Sequence, residues 1–132
     1  MIIAVDFDGV LCEKKWPDIG APNKKLINHL KALQTLGHKI ILWTCRTDDP
    51  FLDGRTGQSR FLLNEAIHFC AEQGLTFNQI NEPDPDSLKM YGGNPRKIYA
   101  HVYIDDNNAG EEFMTRYTVP FVNAKTYQEE AL

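Results

Sequence analysis

The chain has 132 residues, 14 of them Lys or Arg and 18 Asp or Glu, for a formal net charge of −4. That length is one domain's worth, residues 1–132, and buries about two-thirds of its unfolded surface, enough for a core without staples. With 42% hydrophobic and 24% charged residues it is too apolar for a disordered chain. No basic stripe stands out, so no stable nucleic-acid binding is expected.

No apolar run approaches a membrane span, so no membrane association is expected. The apolar stretch 1–5 is ended by Asp6 and has no basic segment before it, so it reads as a strand, not a signal peptide. Cys12, Cys45 and Cys70 are odd in number, far apart and in no CxxC pair. That usage fits a reducing cytoplasm, not a disulfide framework or a zinc ribbon.

In chain order, MIIAV at 1–5 is a short buried strand, and 9–22 is a connecting loop. Asn23 caps a helix whose Leu26, Ile27, Leu30, Leu33 and Leu36 follow the spacing of one buried face, with Gly37 as its stop. HKIILW at 38–43 is a second strand, and 45–58 is a polar loop. Ser59 caps a helix running through Gln73, with Phe61, Leu62, Ala66, Phe69 and Cys70 inward. Residues 76–80 form a third strand, 81–96 a loop, and IYAHVYI at 98–104 a fourth strand. A short helix at 111–115, a fifth strand at 119–122 and a terminal helix from Thr126 complete the chain.

Strands alternating with helices imply crossover units, hence a mainly parallel sheet with helices on both faces. Ligands of such sheets bind at the carboxyl ends of the strands, where strand order reverses. Asp6 and Asp8 follow the first predicted strand, Thr44 and Arg46 the second, and Asp105 and Asp106 the fourth; Lys97 stands just before the fourth. Four carboxylates in one place repel unless a cation neutralises them, and Mg²⁺ suits few carboxylates plus water and phosphate oxygens. A phosphoryl group then needs positive and hydrogen-bonding partners, which Lys97, Arg46 and Thr44 supply. In the extended Asp6-Phe7-Asp8 segment the two carboxyls point the same way. One can act as nucleophile and the other as proton donor.

A lone DxD is a weak signal. Asp84-Pro85-Asp86 has the same spacing in a Pro-rich loop, and Asp48-Asp49 is another acidic pair; both read as solvated turn residues. An apolar strand directly before each pair sets Asp6/Asp8 and Asp105/Asp106 apart.

The ordered set resembles the haloacid dehalogenase-like (HAD) superfamily. VDFDGVL is similar to its first motif, Trp43-Thr44 to the second, Lys97 to the third and Ile104-Asp105-Asp106 to the fourth. The resemblance implies a single-domain, Rossmann-like three-layer α/β/α sandwich around a mainly parallel five-stranded sheet, with the first strand between the second and fourth. It implies a Mg²⁺-dependent phosphohydrolase, a phosphomonoesterase in which Asp6 forms an aspartyl-phosphate and Asp8 serves as general acid and base. Thr44 and Lys97 would hold the phosphoryl oxygens, with Arg46 as a further substrate contact. Asp6, the Asp8 carbonyl and Asp105 would bind the ion, with Asp106 a ligand or one step behind. The segments 12–22 and 81–96, where the family inserts its caps, are too short for a cap domain. A capless, open site suits a large phosphorylated substrate, macromolecular ones included, or closure by a second copy in a homo-oligomer.

Two other readings compete. A receiver-like signalling domain uses similar residues, but its accepting aspartate follows the third strand, where Asn81-Glu82 stand here. A catalytically silent HAD-fold binding or assembly protein would not need every motif position filled. Lys89 competes with Lys97, which is preferred because it adjoins the fourth strand. Arg46, Arg55 and Arg60 in or beside the 45–58 loop also fit salt bridges. None of the four histidines has metal-ligand spacing to another.

Overall fold

The sheet is built outward from its most apolar strand. In the computed structural model, which describes residues 1–91 and 98–105, β1 (Ile2–Val5) is buried along its whole length. Strand β4 (Lys39–Leu42) lies beside it, and β7 (Gln79–Ile80) and β8 (Val102–Ile104) take the two flanks. The order is β7-β4-β1-β8, and every pairing is parallel. The fold is therefore mixed α/β on a parallel sheet of four strands among the described residues. The expected strand at 119–122 and helices at 111–115 and from Thr126 lie outside them.

Helix α1 (Lys24–Thr35) connects β1 to β4, and α2 (Leu62–Glu72) connects β4 to β7. Both steps move in one direction across the sheet, so right-handed crossovers lay both helices on the same face. The main core records this: Leu26, Ile27, Leu30 and Leu33 of α1 and Leu63, Ala66 and Cys70 of α2 pack with Ile3, Val5, Ile40 and Leu42. Ile2, Ala4 and Ile41 face the other way and are covered by Ile98 and Ala100. The step from β7 to β8 passes back over β4 and β1, so the order reverses at β1.

As expected, Asn23 caps α1, its side chain accepting from the Leu26 N–H at 3.3 Å, and Gly37 leaves the helix at φ +94°. Four expectations are corrected. The 9–22 loop contains an antiparallel hairpin of β2 (Cys12–Lys15) and β3 (Asp18–Pro22). The 45–58 loop contains a second hairpin, with β5 (Phe51–Asp53) against β6 (Gln58–Arg60). Ser59 therefore lies in a strand; α2 starts at Leu62 with no side-chain cap, and Phe61 is exposed. Both hairpins are short and have few buried residues, so neither has an apolar alternation to announce it. Gly20 is required in the first: a Cβ there would stand 2.6 Å from the Glu13 carbonyl oxygen.

The fourth correction concerns the acidic loop. Helix α3 (Pro85–Tyr91) occupies part of 81–96, and Asp84 is not a solvated turn residue. It is buried, pairs with Lys39 Nζ at 2.9 Å, and accepts from the Ser87 N–H at 3.2 Å in the manner of an N-cap before a first-turn proline. Asp86 is exposed.

Asp84→Ala should cost about 1–2 kcal/mol of stability in urea unfolding, the usual loss for a deleted cap. Asp86→Ala, a surface change, should stay within about 0.5 kcal/mol. Equal effects would return Asp84 to the solvent.

Candidate functional site

A parallel register decides which strand-end residues meet. Val5 is level with Ile104 on one side and Leu42 on the other, so Asp6 is level with Asp105 and with Trp43. The backbone continues the pairing one step: the Asp6 N–H donates to the Ile104 carbonyl at 3.0 Å, and the Trp43 N–H to the Val5 carbonyl at 2.9 Å. Asp6 and Asp105 thus leave neighbouring strands side by side, at the place where the order of the sheet reverses.

The chain then turns sharply. Phe7 is fully buried while Asp6 and Asp8 on either side of it are half-buried, the alternation expected of an extended segment. The Phe7 carbonyl accepts from the N–H groups of Val10 and Leu11, and Gly9 takes φ +77°, a conformation in which a side chain would be strained. The Phe7 N–H donates to Asp6 Oδ1 at 2.7 Å.

After β4, Thr44 is held by Asn81, whose Oδ1 accepts the Thr44 N–H at 2.8 Å. The Asn81 Nδ2 donates to the Arg46 carbonyl at 3.3 Å, and its backbone sits in the left-handed region at φ 52°. Asn tolerates that conformation better than most residues. The Thr44 hydroxyl oxygen accepts from the Arg46 N–H at 3.2 Å, which leaves its proton to donate. Asn81 was not among the expected site residues. Its signal was its position, directly after a strand, like the others.

Arg46, expected to touch substrate, is instead fully buried. Its Nε donates to Asp8 Oδ2 at 2.9 Å and its Nη2 to Asp8 Oδ1 at 2.8 Å. Further bonds go to the carbonyls of Leu62, Pro17 and Asp18, each at 3.2 Å. Its Cζ lies 5.0 Å from the centre of the Phe7 ring and 5.1 Å from that of Trp16.

A charge network lies just outside this pair. Asp18 accepts from Arg55 and Arg60, Asp53 from the same two arginines, and Glu65 from Arg60 at 2.6 and 3.0 Å. It ties the first hairpin to the second and both to α2, while Trp16 meets Phe51 edge to face at 5.9 Å. The hydrogen bonds from Arg55, then those from Arg60, hold the Asp18 and Asp53 carboxyls below the ordinary carboxylate range; Arg60 does the same for Glu65.

Lys97 and Asp106 lie outside the described residues. No group of three or more His, Cys, Asp or Glu suited to a metal ion occurs among the described residues. Asp6 and Asp105 end adjacent strands at the same level, and their carboxylates are hard oxygen donors. They match the one or two carboxylates that Mg²⁺ takes alongside water and phosphate oxygens. Cys12 and Cys70 are unsuited to nucleophilic work: burial pushes the Cys12 thiol up and that of Cys70 to about 12. A groove of about 580 Å³ beside α2, lined by Phe61, His68 and Phe69 among others, contains none of the strand-end carboxylates.

No family model and no curated protein matches the chain. A solved structure, described as the conserved protein coded by a locus of Bacteroides thetaiotaomicron, is similar at 33% identity and a TM-score of 0.70. The match covers 93% of this chain and 91% of that one. Among the described residues no helix is long and apolar enough to cross a membrane.

Because the network's carboxyls titrate lower folded than unfolded, their stabilisation is present above the ordinary carboxylate pKa of about 4 and is lost as the pH falls below it. Asp53→Asn should be less stable than the wild type at pH 7 and should lose less on acidification from about pH 5 to pH 3. Urea midpoints that fall in parallel for the two proteins would contradict the network.

Proposed function

The chain belongs to one family with that conserved Bacteroides protein, and from its strand-end residues we propose that it is a Mg²⁺-dependent phosphomonoesterase of the capless HAD type. The observation that carries the reading is the shared level of Asp6 and Asp105 on adjacent parallel strands, with Asp8 two residues past Asp6 and Thr44 beyond the neighbouring strand. In this reading the sheet gains a fifth strand from 119–122 and the chain completes a Rossmann-like three-layer sandwich without a cap. The three cysteines are free thiols, in keeping with a cytoplasmic enzyme.

The mechanism is the one the resemblance to the HAD superfamily implies. The Asp6 carboxylate attacks phosphorus, forming an O–P bond as the ester O–P bond breaks and its electron pair leaves with the alcohol oxygen. Asp8 gives that oxygen a proton. In the second half Asp8 takes a proton from a water that attacks the same phosphorus, and the Asp6–P bond breaks to return the carboxylate and release phosphate. The Thr44 hydroxyl and the Lys97 ammonium hold the phosphoryl oxygens. Asp6, the Asp8 carbonyl and Asp105, with Asp106 a ligand or just behind, would hold Mg²⁺, which when bound would supply positive charge against the carboxylates and the phosphoryl oxygens. The open strand ends suit a large phosphorylated substrate or a second copy that closes over them.

With p-nitrophenyl phosphate and Mg²⁺, Asp6→Asn should abolish turnover, and chelation of the ion should do the same to the wild type. Asp8→Asn should lower kcat by about 10²–10⁴-fold, because Asp8 also takes the proton of the water that releases phosphate, whatever the leaving group. A rate for Asp6→Asn equal to that of the wild type would remove the nucleophile and the reading with it.

A further inference from the structure

We propose that Arg46 is a positioning residue: its buried guanidinium grips Asp8 and fixes the direction from which that carboxyl passes a proton to the leaving oxygen. The inference rests on the phosphomonoesterase reading and goes beyond it by replacing a substrate contact with a clamp on the acid.

The fork of Arg46 meets both oxygens of Asp8, at 2.8 and 2.9 Å. Two-point contact fixes the plane of a carboxylate as well as its place, which a single ammonium cannot do. A carboxylate has about four acceptor sites on its two oxygens, so the fork occupies two and leaves two for a proton, a leaving oxygen or a water. The guanidinium is itself held by the Leu62 carbonyl at Nη1 and by the Pro17 and Asp18 carbonyls at Nη2, the nitrogen that also meets Asp8. Phe7 and Trp16 lie within cation–π range of it. Phe7 stands between Asp6 and Asp8 in the chain, so one turn supplies the nucleophile, the acid and a ring that fixes the arginine. With no exposed surface, Arg46 has no face to offer a phosphoryl group.

The chemistry separates this role from a merely structural one. An aryl leaving group departs as a stable anion and needs little protonation; an alkyl leaving group needs the proton as its bond breaks. In the step that expels the alcohol, misaligned Asp8 therefore slows the alkyl ester far more than the aryl ester, whereas general loosening of the fold slows both alike.

The test compares kcat/KM for p-nitrophenyl phosphate and glycerol phosphate, with Mg²⁺, in wild type and Arg46→Lys. That quantity covers the steps up to release of the alcohol and so leaves out the later water attack that both esters share. Arg46→Lys should lower the alkyl-to-aryl ratio about tenfold or more, part of the roughly 10²–10⁴-fold a general acid supplies. In an Asp8→Asn background the same substitution should leave the ratio where Asp8→Asn put it, since there is no acid left to align. Should Arg46→Lys fail to melt cooperatively, Trp16→Leu, which removes one wall from the guanidinium, should lower the ratio in the same direction. An unchanged ratio in a folded variant overturns the clamp even if both rates drop. Wild-type protein without Mg²⁺-dependent turnover of either ester overturns the parent reading instead, and the clamp with it.

Discussion

Parallel strands in register end their side chains at the same height, and here two such strands both run out on aspartate. Val5 opposite Ile104 puts Asp6 next to Asp105, and the Asp6 N–H to the Ile104 carbonyl carries the pairing through the last step. The rest of the arrangement depends on that alignment. A slip of one residue would turn Ile104 toward the opposite face and move Asp105 away from its neighbour. The alignment is in turn fixed by burial, because Val5, Ile104 and Leu42 belong to the same apolar cluster as α1 and α2.

Around this pair the protein places a second layer of order. Arg46 is an unusual core residue, a charge with no exposed surface that pairs with Asp8, carbonyls and two aromatic rings. Buried ion pairs are poor sources of stability, because the desolvation they cost offsets most of their attraction. Removing one partner still costs about 3–5 kcal/mol by stranding the other. A pair with that balance is better explained by what it orients than by what it stabilises. The two hairpins extend the same logic outward: the carbonyls at the tip of the first hold Arg46, and Asp18 at that tip meets Arg55 and Arg60 of the second. Two short hairpins locked by charge thus stand beside the Arg46–Asp8 pair.

The parts legible in the sequence were those with a strong apolar period. The Ile2–Val5 and Lys39–Leu42 strands and the buried Leu and Ile face of α1 announce themselves, as does the Asn23 cap, and the strand-end rule led directly to Asp6, Thr44 and Asp105. The hairpins were illegible because strands of three to five residues with few buried side chains have no periodic signal. The cap from Asp84 to the Ser87 N–H, three residues on, was the local signal, but Asp84 was misread because its buried ion pair is with Lys39, 45 positions away in the chain. The role of Arg46 was hidden for the same reason, its partner Asp8 lying 38 positions away. Whether a polar residue faces water or a distant opposite charge is a tertiary fact, and local spacing does not carry it.

The most direct test of the gathered aspartates is a crystal structure grown with Mg²⁺ and beryllium fluoride, which mimics a phosphoryl group on a carboxylate. The account predicts trifluoroberyllate bonded to an Asp6 carboxylate oxygen, with a single ion touching both Asp6 and Asp105. An ion bound elsewhere, or an Asp105 carboxylate turned away from Asp6 with the adduct in place, would contradict it.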